Sequence, residues 1–152
     1  MAGERKLRSE EEIINRMIEL ADKNYNCGQI MMILAQDQEN KKDSNLIRAM
    51  SGLADGCGFF KETCGIMTGG ACVISWHSGK GDDSEEESEN MLPMLQDFGE
   101  WFHAEIGQKY KGTTCRDIAG ELVGTYEGKA LCGGIILQTF NKVNEILESY
   151  GF

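Results

Sequence analysis

The stretch from Thr63 to Trp76, Thr-Cys-Gly-Ile-Met-Thr-Gly-Gly-Ala-Cys-Val-Ile-Ser-Trp, sets the tightest limit on how this chain can fold. It runs apolar over several helical turns. Gly69, Gly70 and Ala71 leave one side of it nearly bare, so that another backbone can approach closely. Such a helix belongs in the interior. Thr63 is a capping residue placed just before Cys64, so the helix is expected to carry that thiol in its first turn.

The other apolar residues also recur in steps of three and four. Ser9 followed by Glu12 is a capping box, and Ile13, Ile14, Met17, Ile18 and Ala21 mark a first amphipathic helix over residues 9–23. Asn26 caps a second over 27–36, with Ile30, Met31, Ile33 and Leu34 on its apolar face. Residues 37–43 read as a loop, and Ser44 opens a third helix with Leu46, Ile47, Met50 and Leu53. Glycines 52, 56 and 58 precede the central helix. After a glycine-containing loop over 78–83, six acidic residues in 82–89 are expected to open a long helix, since the helix dipole favours anions there. That helix continues through Leu92, Leu95, Phe98, Trp101, Phe102 and Ile106, with Pro93 marking a kink or a start nearer Glu89. Thr113 or Thr114 caps a short element with Cys115, Ile118 and Ala119. A glycine-rich connection over 120–128 then leads to a last helix that Cys132 begins, with Ile136, Phe140, Val143 and Leu147 on its face. Strict alternation of apolar and polar residues is almost absent. The reading is all-α, a compact single-domain bundle of six or seven helices over 9–152 behind a charged tail, 1–8, with no fixed-period repeat.

At 152 residues, 41% hydrophobic and 26% charged, the chain has the composition of a soluble globular domain. No apolar run is long enough for a membrane span. The charged N-terminus lacks the apolar core of a signal peptide, which points to the cytoplasm. Thiols stay reduced there, so the six cysteines suggest metal binding, redox chemistry or burial rather than a disulfide framework. A net charge of −10 argues against nucleic acid, and the only basic cluster is Arg5, Lys6 and Arg8.

Four thiols share a setting. Cys27 follows Asn26, Cys64 follows Thr63, Cys115 follows Thr114, and Cys132 begins the last helix. In a first turn, unpaired N–H groups and the positive dipole end favour thiolate, the form that attacks or ligates. Against this, a free cysteine is commonly a small buried hydrophobe. Cys72, two turns beyond Cys64, is expected to pack, and Cys57 in its glycine loop is an additional ligand or resolving thiol at most. No Cys-x-x-Cys occurs, which removes thioredoxin-type and zinc-ribbon sites. Ferredoxin spacings and a c-type haem motif are missing as well.

The order Asn26-Cys27, Cys64-Gly65-x-x-Thr68-Gly69, Cys115-Arg116-Asp117 and Cys132 resembles the redox-active proteins named for their C_GCAxxG_C_C pattern, over most of the chain from Asn24 to Leu147. The chain departs from that pattern at Ile66, where alanine is preferred, and in carrying Cys57 and Cys72 as extra thiols. The resemblance implies a helical protein whose Cys27, Cys64, Cys115 and Cys132 are redox-active or bind an iron–sulfur cluster, as in the related domain of split-Soret cytochromes c.

Other sites carry less weight. His77 and His103 read as satisfied or packed residues. Met17, Met31, Met32, Met50 and Met67 fall on apolar faces as core filling rather than a soft-metal site. The acidic run lacks EF-hand positions, and no phosphate-binding glycine motif is present. The leading expectation is a prokaryotic electron carrier holding a cluster of the 2Fe–2S type on the four cysteines. Its expected partners are an unidentified redox protein and a second copy of the chain in a homodimer, with no membrane or nucleic-acid role. A thiol–disulfide oxidoreductase using Cys64 with Cys27, and a structural zinc module on the same four cysteines, are the alternatives.

Overall fold

A computed structural model describes residue 6 and residues 8–152, the Phe59 side chain excepted. Arg5 and most of the expected N-terminal tail lie outside the described residues, although the Lys6 N–H donates to the Gln38 carbonyl at 2.9 Å. The described residues form seven α-helices and no strand beyond one isolated bridge. None of these helices is long and apolar enough to cross a membrane.

Helix α1 (Glu10–Asp22) begins at the expected capping box. The Ser9 hydroxyl accepts the Glu12 N–H at 3.2 Å, and the Glu12 carboxylate accepts the Ser9 N–H at 3.0 Å. Its inward face is Ile13, Met17 and Leu20, whereas Ile14 and Ile18 from the expected stripe are 36% and 57% exposed. Helix α2 (Cys27–Gln38) is the central element. Almost every residue from Gly28 onward is buried, with α1, α3, α4 and the last helix packed around it. A helix apolar on all sides has to be enclosed in this way. It runs two residues past its expected end at Gln36, into the stretch read as a loop. Helix α3 (Ser44–Met50) is capped by Asp43 and followed by a 3-10 turn, Ser51–Leu53.

Helix α4 (Gly65–Ser78) lies against α2, and its bare side is what brings them together. A Cβ on Gly69 would stand 2.9 Å from the Gly28 Cα, so the two backbones touch. The ring of Phe98 fills the space beside Gly70, where a Cβ would come within 2.6 Å of it. Met17, Met31, Met32 and Met50 are buried in the same core, as their helical spacing implied.

Helix α5 (Met91–Phe102) runs without a break into a π-helical turn, His103–Gly107, and a final turn, Gln108–Tyr110. The acidic run does not open it. Residues 82–89 stay non-helical, with Asp82 accepting the Ser84 N–H at 2.7 Å. Pro93 gives the reason. At the third helical position its missing N–H costs nothing, but in a helix begun earlier its ring would clash with the Glu89 carbonyl four residues back, and six neighbouring carboxylates repel one another. Helix α6 (Cys115–Ile118) is one turn long. The last helix, α7 (Tyr126–Ser149), starts at a Thr125 cap, so the expected glycine-rich connection ends earlier and Gly128 sits in the first turn.

Candidate functional site: four converging thiols

Cys27 and Cys115 are the first residues of α2 and α6. Each follows a capping box: Asn26 exchanges hydrogen bonds with Gln29, and Thr114 with Asp117. Cys64 does not sit inside a first turn as its sequence suggested. It is the N-cap of α4 itself, and Thr63 before it is paired with Thr114 in an antiparallel bridge. The Cys64 N–H donates to the Thr113 carbonyl at 2.9 Å and the Cys115 N–H to the Glu62 carbonyl at 2.7 Å. The bridge thus brings the backbone at Cys64 next to the backbone at Cys115, each one residue beyond a paired threonine.

Cys132 departs further from expectation. It is the seventh residue of α7, in the second turn, and its neighbourhood offers no free helix-terminal N–H. The shared first-turn setting therefore holds for Cys27 and Cys115, and in altered form for Cys64.

The four thiols nevertheless lie near enough for charge on one to be felt at others. Burial pushes the Cys27 thiol far above its ordinary range, and the neighbouring Cys64 and Cys132 push it further. Burial raises Cys132 to about 11, with Cys64 and Cys115 adding to the effect. Cys115 is raised by burial and by Cys64. Cys64 is raised by burial, and although it makes no capping hydrogen bond of ordinary geometry, the Ile66 and Met67 N–H groups partly offset the rise by favouring its thiolate. Gly65 makes the approach possible, for a Cβ there would lie 2.7 Å from the Cys27 sulfur. Among the described residues, no three His, Cys, Asp or Glu side chains are arranged to hold one metal ion.

Two neighbours were not foreseen. Asp55, Gly56, Cys57 and Gly58 form a left-handed run, with φ of 53°, 69°, 65° and 77°, closed by a Gly58 N–H to Ala54 carbonyl bond of 2.6 Å. Left-handed backbone costs about 1–2 kcal/mol at each non-glycine residue. The run sets the Asp55 carboxylate where it raises both Cys115 and Cys132, while Lys61 lowers Cys115. The alternating glycines around Cys57 were the only sequence signal of this turn. Cys57 itself is exposed, and Cys72 packs half-buried against the core, its thiol raised by burial.

Neither histidine belongs to the site. His77, at the far end of α4, has its Nδ1 2.9 Å from the Val73 carbonyl and its Nε2 against Glu39. Burial would raise Glu39, but hydrogen bonds from Lys41 and His77 hold it below the usual carboxylate range. His103 is exposed in the π-turn rather than packed.

A thiol with a folded-state pKa above its unfolded value stabilises the fold at neutral pH and below, and that contribution is lost as pH rises through the folded value. The reduced, metal-free protein is therefore expected to weaken from about pH 8.5, through about 11 for Cys132. Urea unfolding at pH 7.5 and pH 10.5 under reductant should lose on the order of 1–2 kcal/mol from Cys132 alone. In Cys132→Ala the pH-dependent difference should shrink by that amount.

Fold and thiol arrangement together define a small helical protein whose distinctive chemistry is that of clustered cysteines. Residues 25–146 match the family model described as "Putative redox-active protein (C_GCAxxG_C_C)". The chain belongs to this family. Comparison with the curated proteins and with the solved structures gives no significant match.

Proposed function

We propose that residues 9–152 form one redox domain that binds an iron–sulfur cluster of the 2Fe–2S type through Cys27, Cys64, Cys115 and Cys132. The observation that carries this reading is that Cys64 lies close enough to three thiols from distant parts of the chain to help suppress the ionisation of each. An arrangement that disfavours thiolates by itself is completed by bound cationic iron, which keeps its ligands deprotonated. When bound, such a cluster takes up and releases single electrons. The chain's part is to hold the sulfurs, to shield Cys64 from solvent, and to direct N–H groups of α4 toward its sulfur.

The same features weigh against the alternatives. A thiol–disulfide enzyme needs an accessible thiol of depressed pKa, whereas all four here are raised. A single zinc ion holds every sulfur at about 2.3 Å from one point, and among the described residues no three donors close around a point in that way. A cluster of several irons spreads its ligands farther apart. A cytoplasmic, prokaryotic setting with a protein electron donor and acceptor follows from this reading, and a homodimer fits it.

Anaerobic purification, a visible spectrum, and iron, sulfide and zinc counts test the proposal. Iron and acid-labile sulfide in equal amounts, with broad absorbance bleached by dithionite, are expected. One zinc per chain and no sulfide, or a colourless protein after anaerobic reconstitution, would overturn it.

A further inference from the structure

Cys27, Cys64 and Cys132 are carried by α2, α4 and α7, helices that pack directly on one another. Cys115 stands differently: it opens α6, a single turn ending at Ile118, and is half-buried. The segment just before α4 ties that turn to Cys64. The bridge between Thr63 and Thr114 and the backbone bonds beside it are continued by Arg116, whose N–H donates to the Lys61 carbonyl at 3.1 Å.

Two cationic side chains cross the same seam in opposite directions. The Lys61 Nζ donates to the Gly120 carbonyl, beyond α6, at 3.1 Å. The Arg116 Nη2 donates back to the Phe60 carbonyl at 2.7 Å. Among the described residues neither cation pairs with a carboxylate, although the chain has 25 acidic residues. Both are committed to backbone, in charge-assisted bonds of the stronger kind. Lys61 is moreover held in left-handed backbone, with φ of 50°, a strain that persists only where the surroundings impose it.

We propose that Lys61 and Arg116 are positioning residues, a crossed clasp that fastens α6 to the segment before α4 and so keeps Cys115 beside Cys64. The inference rests on the reading of Cys115 as a cluster ligand and names what holds that ligand in place. With the clasp undone, Cys115 leaves the site while the sulfurs on the packed helices stay, so a bound cluster loses this ligand first.

The test is labelling of the reduced, metal-free protein with iodoacetamide at pH 8, read cysteine by cysteine from peptide masses. Lys61→Met keeps most of the side chain and removes the donor. Because the Lys61 charge lowers the Cys115 thiol, loss of charge alone would slow labelling there, whereas release of the clasp speeds it. Labelling of Cys115 about fivefold faster or more is expected in Lys61→Met and in Arg116→Ala, with Cys72, packed against the core, unchanged. Lys61→Arg, which keeps a charged donor, should react at the wild-type rate. In the reconstituted protein, an iron chelator should bleach Lys61→Met faster than wild type by a similar factor. A Cys115 rate that is unchanged or slower in Lys61→Met, or an acceleration shared equally by Cys72, overturns the proposal. Selective acceleration in a chain that never takes up iron and sulfide upholds the clasp and ends the cluster reading instead.

Discussion

Cys64→Ser is expected to abolish the visible absorbance of the anaerobically reconstituted protein while leaving its helical far-UV signal in place. The residue is 4% exposed, so the change is buried, yet serine is close to cysteine in size and can occupy the N-cap of α4 as well or better. What is lost is the soft sulfur. Cys64 is also the hub of the four: after burial, it is the largest influence raising each of Cys27, Cys115 and Cys132. Removing it should therefore lower the other three thiols in the metal-free protein. Alkylation by iodoacetamide at pH 8 reads this directly, with Cys115 and Cys132 modified several-fold faster in the variant, since the thiolate is the reacting form. A serine variant that kept its full cluster spectrum would end the four-cysteine assignment. One that lost the spectrum without faster alkylation would show that the sulfurs are farther apart than described.

Gly69→Ala carries the largest expected cost to the fold itself. The added methyl would meet the Gly28 Cα at 2.9 Å, the Gly28 carbonyl oxygen at 3.2 Å and the Met31 Cβ at 3.3 Å. Two of these are backbone atoms of the central helix, so relief requires α2 and α4 to separate. Overpacking of this kind costs about 1–3 kcal/mol, against which alanine regains about 1 kcal/mol of helix propensity. A net loss of about 1 kcal/mol, and at most about 2, is expected from urea unfolding. Gly134→Ala is the control. Nothing lies within 4 Å of a Cβ there, so propensity alone acts and the protein should gain up to about 1 kcal/mol. Equal midpoints for the two variants would mean that the helices are not in backbone contact. Iron uptake should fall in Gly69→Ala as well, because the residue before Gly28 is Cys27.

The parts of this structure that were legible in the sequence are those fixed by neighbours in the chain. Ser9 with Glu12 placed the start of α1, and Asn26 placed that of α2, because a cap is satisfied within three residues. The bare stretch at Gly69 and Gly70 correctly announced a buried helix. The errors fall where distant residues decide. Thr63 has every quality of a cap, yet it pairs with Thr114, 51 positions on in the chain, and the helix starts one residue later, with Cys64 at the cap position. Residues 82–89 suit a helix start by charge, yet Pro93 fixes the start after them. Gly128 read as the end of a glycine-rich connection because glycine is costly in helices, and here the Leu122 carbonyl packs so close to it that a Cβ would lie 2.0 Å away. For the site, the residue types were readable and the company they keep was not. Asp55 and Lys61 reach Cys115 only through a left-handed turn whose backbone no local pattern announces.

The position of Cys132 in the second turn of α7 bears on how the molecule comes into being. Three of the sulfurs leave the ribosome on earlier elements, and the fourth arrives only with the final helix. A growing polypeptide thus presents an incomplete set of ligands until α7 has emerged and docked. Under the proposed function, metal loading would be tied in that way to the end of synthesis, and the interval before it would leave these sulfurs most open to oxidation.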